Sequence, residues 1–86
     1  MIVGLNLRVE HEGRRYDVQV EDLGEARACF EVRVHEGGGI VWSKQVGYQD
    51  ILSQGLPREQ QDEAVRSSME KMLHTAATAI ARGKLP

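Results

Sequence analysis

From residue 26 to residue 35 the chain reads ARACFEVRVH, with an apolar side chain at every second position. The even-numbered positions are Ala, Ala, Phe, Val and Val, and the odd-numbered positions are Arg, Cys, Glu, Arg and His. Successive side chains of a β-strand point to opposite faces, so this alternation predicts a strand with one buried and one solvated face. Such strands are typical of antiparallel sheets.

The same period of two recurs on both sides of this stretch. It predicts four strands, separated by short turns that each contain glycine, at residues 3–10, 15–22, 26–35 and 40–48. The apolar positions of the first two strands are Val3, Leu5, Leu7, Val9, Tyr16, Val18 and Val20. Because short turns place consecutive antiparallel strands side by side, we expect a meander.

The fourth strand is less regular than the other three. Ile40, Trp42, Val46 and Tyr48 share one parity, but Lys44 falls among them. An edge strand with an inward-pointing Lys would explain this mixture, and so would a β-bulge within the run. The pattern therefore leaves open which face of the strand carries Trp42.

Beyond the fourth strand the apolar period lengthens to three or four residues. Residues 49–56 are a connector, and residues 57–82 predict one long helix that ends before Gly83. Its apolar stripe consists of Val65, Met69, Met72, Leu73, Ala76 and Ile80. The sequence thus predicts a single α+β domain over residues 1–86, a four-stranded antiparallel meander (ββββα) with the C-terminal helix packed on one face.

Composition restricts the function mainly by exclusion. The 86 residues include 11 basic and 13 acidic side chains, a formal net charge of −2, which disfavours binding to nucleic acid through its phosphates. Cys29 is the only cysteine, and a lone thiol is typical of a reducing compartment. No apolar run approaches the ~20 residues of a membrane-spanning helix, and the N-terminus does not resemble a signal peptide. We expect a cytoplasmic protein with no membrane partner.

No group of residues predicts catalysis, a metal site or a cofactor. His11, His35 and His74 lack the spacing of metal ligands, and Cys29 has no histidine partner that the sequence marks. The glycines at 37–39 join two strands, whereas a phosphate-binding loop leads into a helix. We therefore expect no enzymatic activity and no bound cofactor.

Several features predict a homodimer. A chain this short has a thin core, and small cores are often supported by association. Residues 57–82 would form a helix about 39 Å long, whereas a seven-residue strand covers about 23 Å. The predicted dimer contacts are Val65, Met69, Met72, Ala76, Ala77 and Ile80. The sequence leaves open whether this helix packs on its own sheet or is exchanged between subunits.

Two functions remain. The favoured one is a small binding or adaptor protein, without enzymatic activity, whose homodimeric sheet-helix scaffold engages an unidentified protein partner. Its predicted contact surfaces are the polar N-terminal part of the helix, the outer sheet face and the edge strand around Val41 to Gln45. The alternative is a single-stranded DNA- or RNA-binding protein, because four antiparallel strands followed by a helix resemble the whirly and transcriptional-coactivator type of single-stranded DNA binder in element order. Basic residues would contact the backbone and aromatic residues would stack on bases. The candidate residues are Arg8, Arg27, Arg33, Lys44, Trp42 and Tyr48.

Overall fold

The computed structural model describes residues 4–85, and its elements follow the predicted order. Four strands precede two helices: β1 (Leu5–His11), β2 (Arg14–Asp22), β3 (Cys29–Glu36), β4 (Gly39–Gly47), α1 (Gln49–Leu52) and α2 (Arg58–Ala81). The strands pair antiparallel in the order β1-β2-β3-β4. The predicted α+β meander is therefore confirmed. Val3, which belongs to the first predicted strand, lies outside the described residues.

The clearest boundary difference is at the start of the third strand. The alternation predicts a strand from Ala26, whereas β3 begins at Cys29. The amides of Arg27 and Ala28 both donate to the carbonyl of Gly24, at 3.2 and 2.9 Å. These local hydrogen bonds close a turn, so the first three predicted residues leave the strand.

Helix α2 starts and ends at residues suited to those positions. It begins one residue after Pro57, whose carbonyl accepts the amide of Gln61 at 2.9 Å. A proline has no N–H to leave unpaired at a helix N-terminus. At the other end Gly83 has a φ of 65°, and the amide of Lys84 donates to the carbonyl of Ala79 at 2.8 Å. This left-handed turn is the usual way in which glycine ends a helix.

The core lies between α2 and the face of the sheet that it covers, here called the inner face. Its buried members are Val18, Val20, Phe30, Val32, Val34, Tyr48, Val65, Met69, Leu73, Ala76 and Ile80. Helix α2 packs most extensively on β1, less on β2 and least on β3, and has little or no contact with β4. The helix thus packs on its own sheet, and β4 is a free edge strand beyond the helix.

A β-bulge explains the irregular pattern of β4. Val34 pairs with Trp42, but His35 pairs with Ile40, so Val41 is the extra residue. The bulge shifts the side-chain alternation by one position. As a result, Trp42 lies on the inner face, whereas Ile40 lies on the outer face of the sheet. Of the two explanations that the sequence allowed for this strand, the bulge is confirmed.

The inward-pointing Lys predicted for an edge strand is also present. Lys44 pairs with Val32, which is completely buried on the inner face. Lys44 itself is exposed, because the helix above Val32 does not extend over β4. Both sequence explanations of the mixed pattern therefore apply to the same strand.

Candidate functional site

The two outer-face arginines proposed for nucleic acid already have carboxylate partners. Arg8 Nε lies 3.2 Å from Asp17 Oδ1 on the neighbouring strand. Arg33 lies between two carboxylates, with nitrogen–oxygen distances of 3.6 Å to Glu21 and 3.1 Å to Glu31. These partners offset the positive charge that a phosphate backbone would require.

A shallow groove on the outer face has no aromatic platform either. It encloses about 570 Å³ and is lined by Asn6, Arg8, Asp17, Gln19 and His35, together with two further residues of the described chain. None of its lining residues is Phe, Tyr or Trp. Base stacking, which proteins that bind single strands use widely, therefore has no support on this face.

The other four nucleic-acid candidates do not extend the surface that carries Arg8 and Arg33. Tyr48 is only 1% exposed, and its hydroxyl donates to Asp22 Oδ1 at 2.6 Å. Arg27 is exposed in the turn before β3, whereas Trp42 and Lys44 lie on the inner face. The structure therefore does not bring the six residues together into one surface.

The predicted dimer contacts mostly lie in the chain's own core. Val65, Met69, Ala76 and Ile80 are at most 4% exposed, because they pack against the inner face of the sheet. Met72 and Ala77 are partly exposed on the sides of α2. A second chain could therefore reach only these last two residues without displacing the helix.

The exposed apolar surface is at the free edge instead. Within residues 4–85, the large hydrophobic side chains that are mostly open to solvent are Ile40, at 58% exposure, and Val41, at 45%. Trp42 follows directly and packs partly against the core. These three consecutive residues, here called the β4 patch, lie at the bulge. Adjacent apolar side chains exposed at a strand edge are a candidate interaction site.

The backbone beside the β4 patch is also available for pairing. The amide of Tyr48 donates to the carbonyl of Ala28 at 2.8 Å, so these two residues form a hydrogen-bonded pair. Hydrogen-bonded and non-hydrogen-bonded pairs alternate along an antiparallel ladder. Ser43, Gln45 and Gly47 therefore direct their N–H and C=O groups away from β3, towards the free edge.

Sequence reasoning listed Trp42 and named the edge strand around Val41 to Gln45 as a contact surface, but it missed Ile40. The exposure of Ile40 and Val41 follows from the bulge and from the position of α2 over the other side of the sheet. The sequence signal was the broken alternation of the fourth strand, which indicates a bulge without locating it. The three consecutive apolar residues at 40–42 were a second signal, because a half-buried strand seldom needs such a run.

The single cysteine and the histidine on the same strand lie far apart. Cys29 and His35 lie six residues apart on β3, so roughly 20 Å separates their Cα atoms. In the described chain, no group of three His, Cys, Asp or Glu side chains could hold a metal ion. Burial, and then the hydrogen bond to Asp22, raise the pKa of Tyr48 well above its ordinary value. Its hydroxyl therefore stays protonated at neutral pH and acts as a structural donor.

Two further observations bear on the class of protein. Among residues 4–85, neither helix combines the length and the apolar character that a membrane crossing requires. Comparison of the chain with protein-family models, with curated proteins and with solved structures finds no match. The features of the chain that bear on its function are therefore the β4 patch and the free strand edge beside it.

Proposed function

We propose that this chain is a non-enzymatic interaction protein that works as a homodimer and uses the free edge of β4 as its interface. One observation carries the proposal: the exposed side chains of Ile40 and Val41 adjoin backbone groups of the same strand that have no strand partner within residues 4–85. The opposite edge strand, β1, lies under α2 and, in the described chain, exposes no large hydrophobic side chain.

Strand addition would use both features of this edge. Main-chain hydrogen bonds to the added strand supply affinity, and contacts with side chains supply specificity. Covering half-exposed Ile40 and Val41 would contribute about 1 kcal/mol each, or roughly 4 kcal/mol for two copies. Association itself costs about 4–15 kcal/mol. These two side chains alone do not offset that cost, so the main-chain hydrogen bonds to the added strand must supply the rest. We therefore expect a weak, reversible dimer with a dissociation constant in the micromolar range or above.

The absence of catalysis, the compartment and the adaptor role each follow from a separate feature of the chain. The distance between Cys29 and His35 supports a role without catalysis. The single cysteine supports a reducing cytoplasm. An adaptor role follows if the outer faces of the two joined sheets present their mixed charges, such as the pair of Arg8 with Asp17, to a further protein.

The test is the mass of the protein in solution, measured by sedimentation velocity from about 1 µM to a few hundred µM. We expect the average mass to rise from one chain towards two. Val41→Lys places a charge in the interface and should keep the protein monomeric over this range. Gln60→Lys, at an exposed position of α2, adds the same charge elsewhere and should dimerise normally.

Either of two results would overturn the proposal. One is a wild-type protein that stays monomeric at the highest concentration. The other is a Val41→Lys variant that is folded by circular dichroism and dimerises as tightly as the Gln60→Lys control. Oligonucleotide binding is the competing proposal, and its support is that Trp42 and Lys44 are neighbours on the inner face of the edge strand.

A further inference from the structure

We infer that the second copy joins β4 in one particular register, with Ser43 on the two-fold axis and Trp42 of each copy directly opposite Lys44 of the other. This inference rests on the proposed dimer and adds which residues meet. In this register Lys44 stabilises the dimer, and it also determines which of the pairings allowed by the free edge is formed.

Symmetry limits the possible registers. Two copies that extend one antiparallel sheet are related by a two-fold axis perpendicular to it, so each inner face remains an inner face. Residues directly opposite each other must then lie on the same face. The faces alternate along β4, so an axis midway between two residues would pair residues from opposite faces. The axis must therefore pass beside one residue, which then lies opposite its own copy. The regular part of the strand, Trp42 to Gly47, offers central positions from Ser43 to Val46. A centre at Val46 leaves the β4 patch outside the interface, so three registers remain.

The register centred on Lys44 is unfavourable. It places the two ammonium groups directly opposite each other on the inner face, where like charges destabilise a cross-strand pair. Inward-pointing lysines on edge strands are a known means of preventing unwanted pairing. Lys44 therefore excludes the register that is centred on itself.

The register centred on Gln45 leaves the apolar surface unused. It places Lys44 opposite Val46 of the second copy, where the ammonium group has no partner. Val41 would fall opposite Gln49, beyond the end of β4. The exposed hydrophobic residues that motivate the dimer would then remain largely in solvent. This register forms more main-chain hydrogen bonds in return, but it covers neither Ile40 nor Val41.

The register centred on Ser43 provides a partner for the ammonium group of Lys44 and places Val41 of the β4 patch in the interface. Trp42 of each copy lies opposite Lys44 of the other, and a cation beside a tryptophan ring is attracted to its face. Val41 falls opposite Gln45 of the second copy, inside the interface. Each dimer contains the Trp42–Lys44 contact twice, so the charge that excludes one register stabilises this one.

Disulfide trapping distinguishes the registers. In a Cys29→Ser background, Ser43→Cys places two thiols on the axis of the proposed dimer, and Gln45→Cys does so for the alternative. Each cysteine would face its copy in a hydrogen-bonded pair, with Cα atoms about 5.5 Å apart and so within the range of disulfides. The two variants therefore share one local geometry and differ only in register. We expect Ser43→Cys to form covalent dimers under mild oxidation at least tenfold faster than Gln45→Cys. Equal rates, or faster trapping of Gln45→Cys, would overturn the inference.

A second measurement examines the role of Lys44 itself. If Lys44 binds the ring of Trp42, Lys44→Met should weaken the dimer about tenfold, and Lys44→Arg should leave its affinity within about threefold of the wild type. If Lys44 only protects the edge, Lys44→Met should strengthen the dimer, which would overturn the inference. Trp42 is the only tryptophan, so its fluorescence reports directly on this contact.

The two levels of proposal can fail separately. A monomeric wild-type protein removes the proposed function and this inference together. A dimer that Val41→Lys disrupts, but that Ser43→Cys does not trap, retains the interface and removes the register. A dimer that Val41→Lys leaves intact places the interface elsewhere and contradicts both.

Discussion

The hydroxyl of Tyr48 donates a hydrogen bond of 2.6 Å to Asp22, which lies 26 residues earlier in the chain. Asp22 ends β2 and also accepts the amide of Gly24 at 3.0 Å, and Tyr48 directly follows β4. The contact therefore joins the turn before β3 to the segment after β4. It fixes the C-terminal end of β4, the strand whose other end carries the β4 patch.

Removing this hydroxyl should destabilise the fold without a change in shape. Tyr48→Phe leaves the carboxylate of Asp22 without its side-chain donor at a partly buried site, so we expect a loss of about 1–2 kcal/mol in the free energy of unfolding. Urea denaturation measures it. Tyr16→Phe is the matched control, since Tyr16 is only partly buried and its hydroxyl has no hydrogen bond within residues 4–85. Equal losses in the two variants would contradict a specific role for the hydrogen bond.

The raised pKa of Tyr48 predicts that the free energy of unfolding declines at alkaline pH. In the folded chain, burial and the Asp22 carboxylate raise the pKa of Tyr48 above the ordinary value of 10.0, so the unfolded state loses its proton first as the pH rises. Above about pH 10 the folded state binds more protons than the unfolded state, and stability should fall by about 1.4 kcal/mol per pH unit.

The check is a series of urea denaturations from pH 8 to pH 11, at steps of about half a unit. Tyr48→Phe lacks the titrating group, so its stability should fall less steeply than that of the wild type over the alkaline part of this range. Parallel profiles for the two proteins would show that the alkaline decline comes from other groups.

Ala28 offers a stabilising substitution. It has a φ of 52°, a left-handed conformation that disfavours residues with a Cβ atom by about 1–2 kcal/mol. Ala28→Gly removes this cost but adds freedom to the unfolded chain, so we expect a net gain of about 0.5–1 kcal/mol. Ala26→Gly in the same turn is the control and should be neutral or destabilising, because Ala26 does not have a positive φ. Thermal unfolding of both variants measures the difference.

The regular elements could be predicted because their signals are local. Alternation over seven to nine residues defines β1 and β2, and the longer period together with Gly83 defines α2. The turn at Ala26 to Ala28 could not be predicted in the same way. Alanine fits the apolar phase of a strand without requiring it, and two hydrogen bonds to the carbonyl of Gly24 decide the conformation.

The candidate site was less predictable than the fold. The exposure of Val41 depends on the exact position of a bulge and on which strands α2 covers, and both are tertiary features. The pairing of Tyr48 with Asp22 likewise joins residues that are distant in the chain. The helix stripe was read correctly as apolar, but its pattern could not divide the side chains that contact the chain's own sheet from those open to another chain.

Two methionines of α2 distinguish the side chains that contact the chain's own sheet from those that are open to solvent. Met69 is completely buried, whereas Met72 lies at the margin of the core and is partly exposed. We expect Met69→Ala to reduce the free energy of unfolding by about 2–5 kcal/mol, because it leaves a cavity in a packed interior. Met72→Ala should cost about 1 kcal/mol or less. Chemical denaturation measures both losses, and similar values would contradict the packing of α2.

The same pair of variants also bears on the assembly. If the dimer forms through β4, Met72→Ala should leave its dissociation constant unchanged within about threefold. A large weakening of the dimer by Met72→Ala, in a variant that is otherwise stable, would place the interface on α2 instead. Sedimentation at several concentrations provides this measurement with the same protein samples.

Nucleic-acid binding should be weak or undetectable. The arginines on the outer face are paired with carboxylates, and Trp42 and Lys44 are on the opposite face from them. We expect no saturable binding of a fluorescent single-stranded oligonucleotide up to about 100 µM protein at physiological salt, where non-specific binding is typically this weak. Arg8→Ala should make no difference. Salt-sensitive binding near 1 µM that Lys44→Gln abolishes would instead establish the inner face of β4 as a nucleic-acid interface, since the loss of a phosphate contact reduces both the affinity and its dependence on salt.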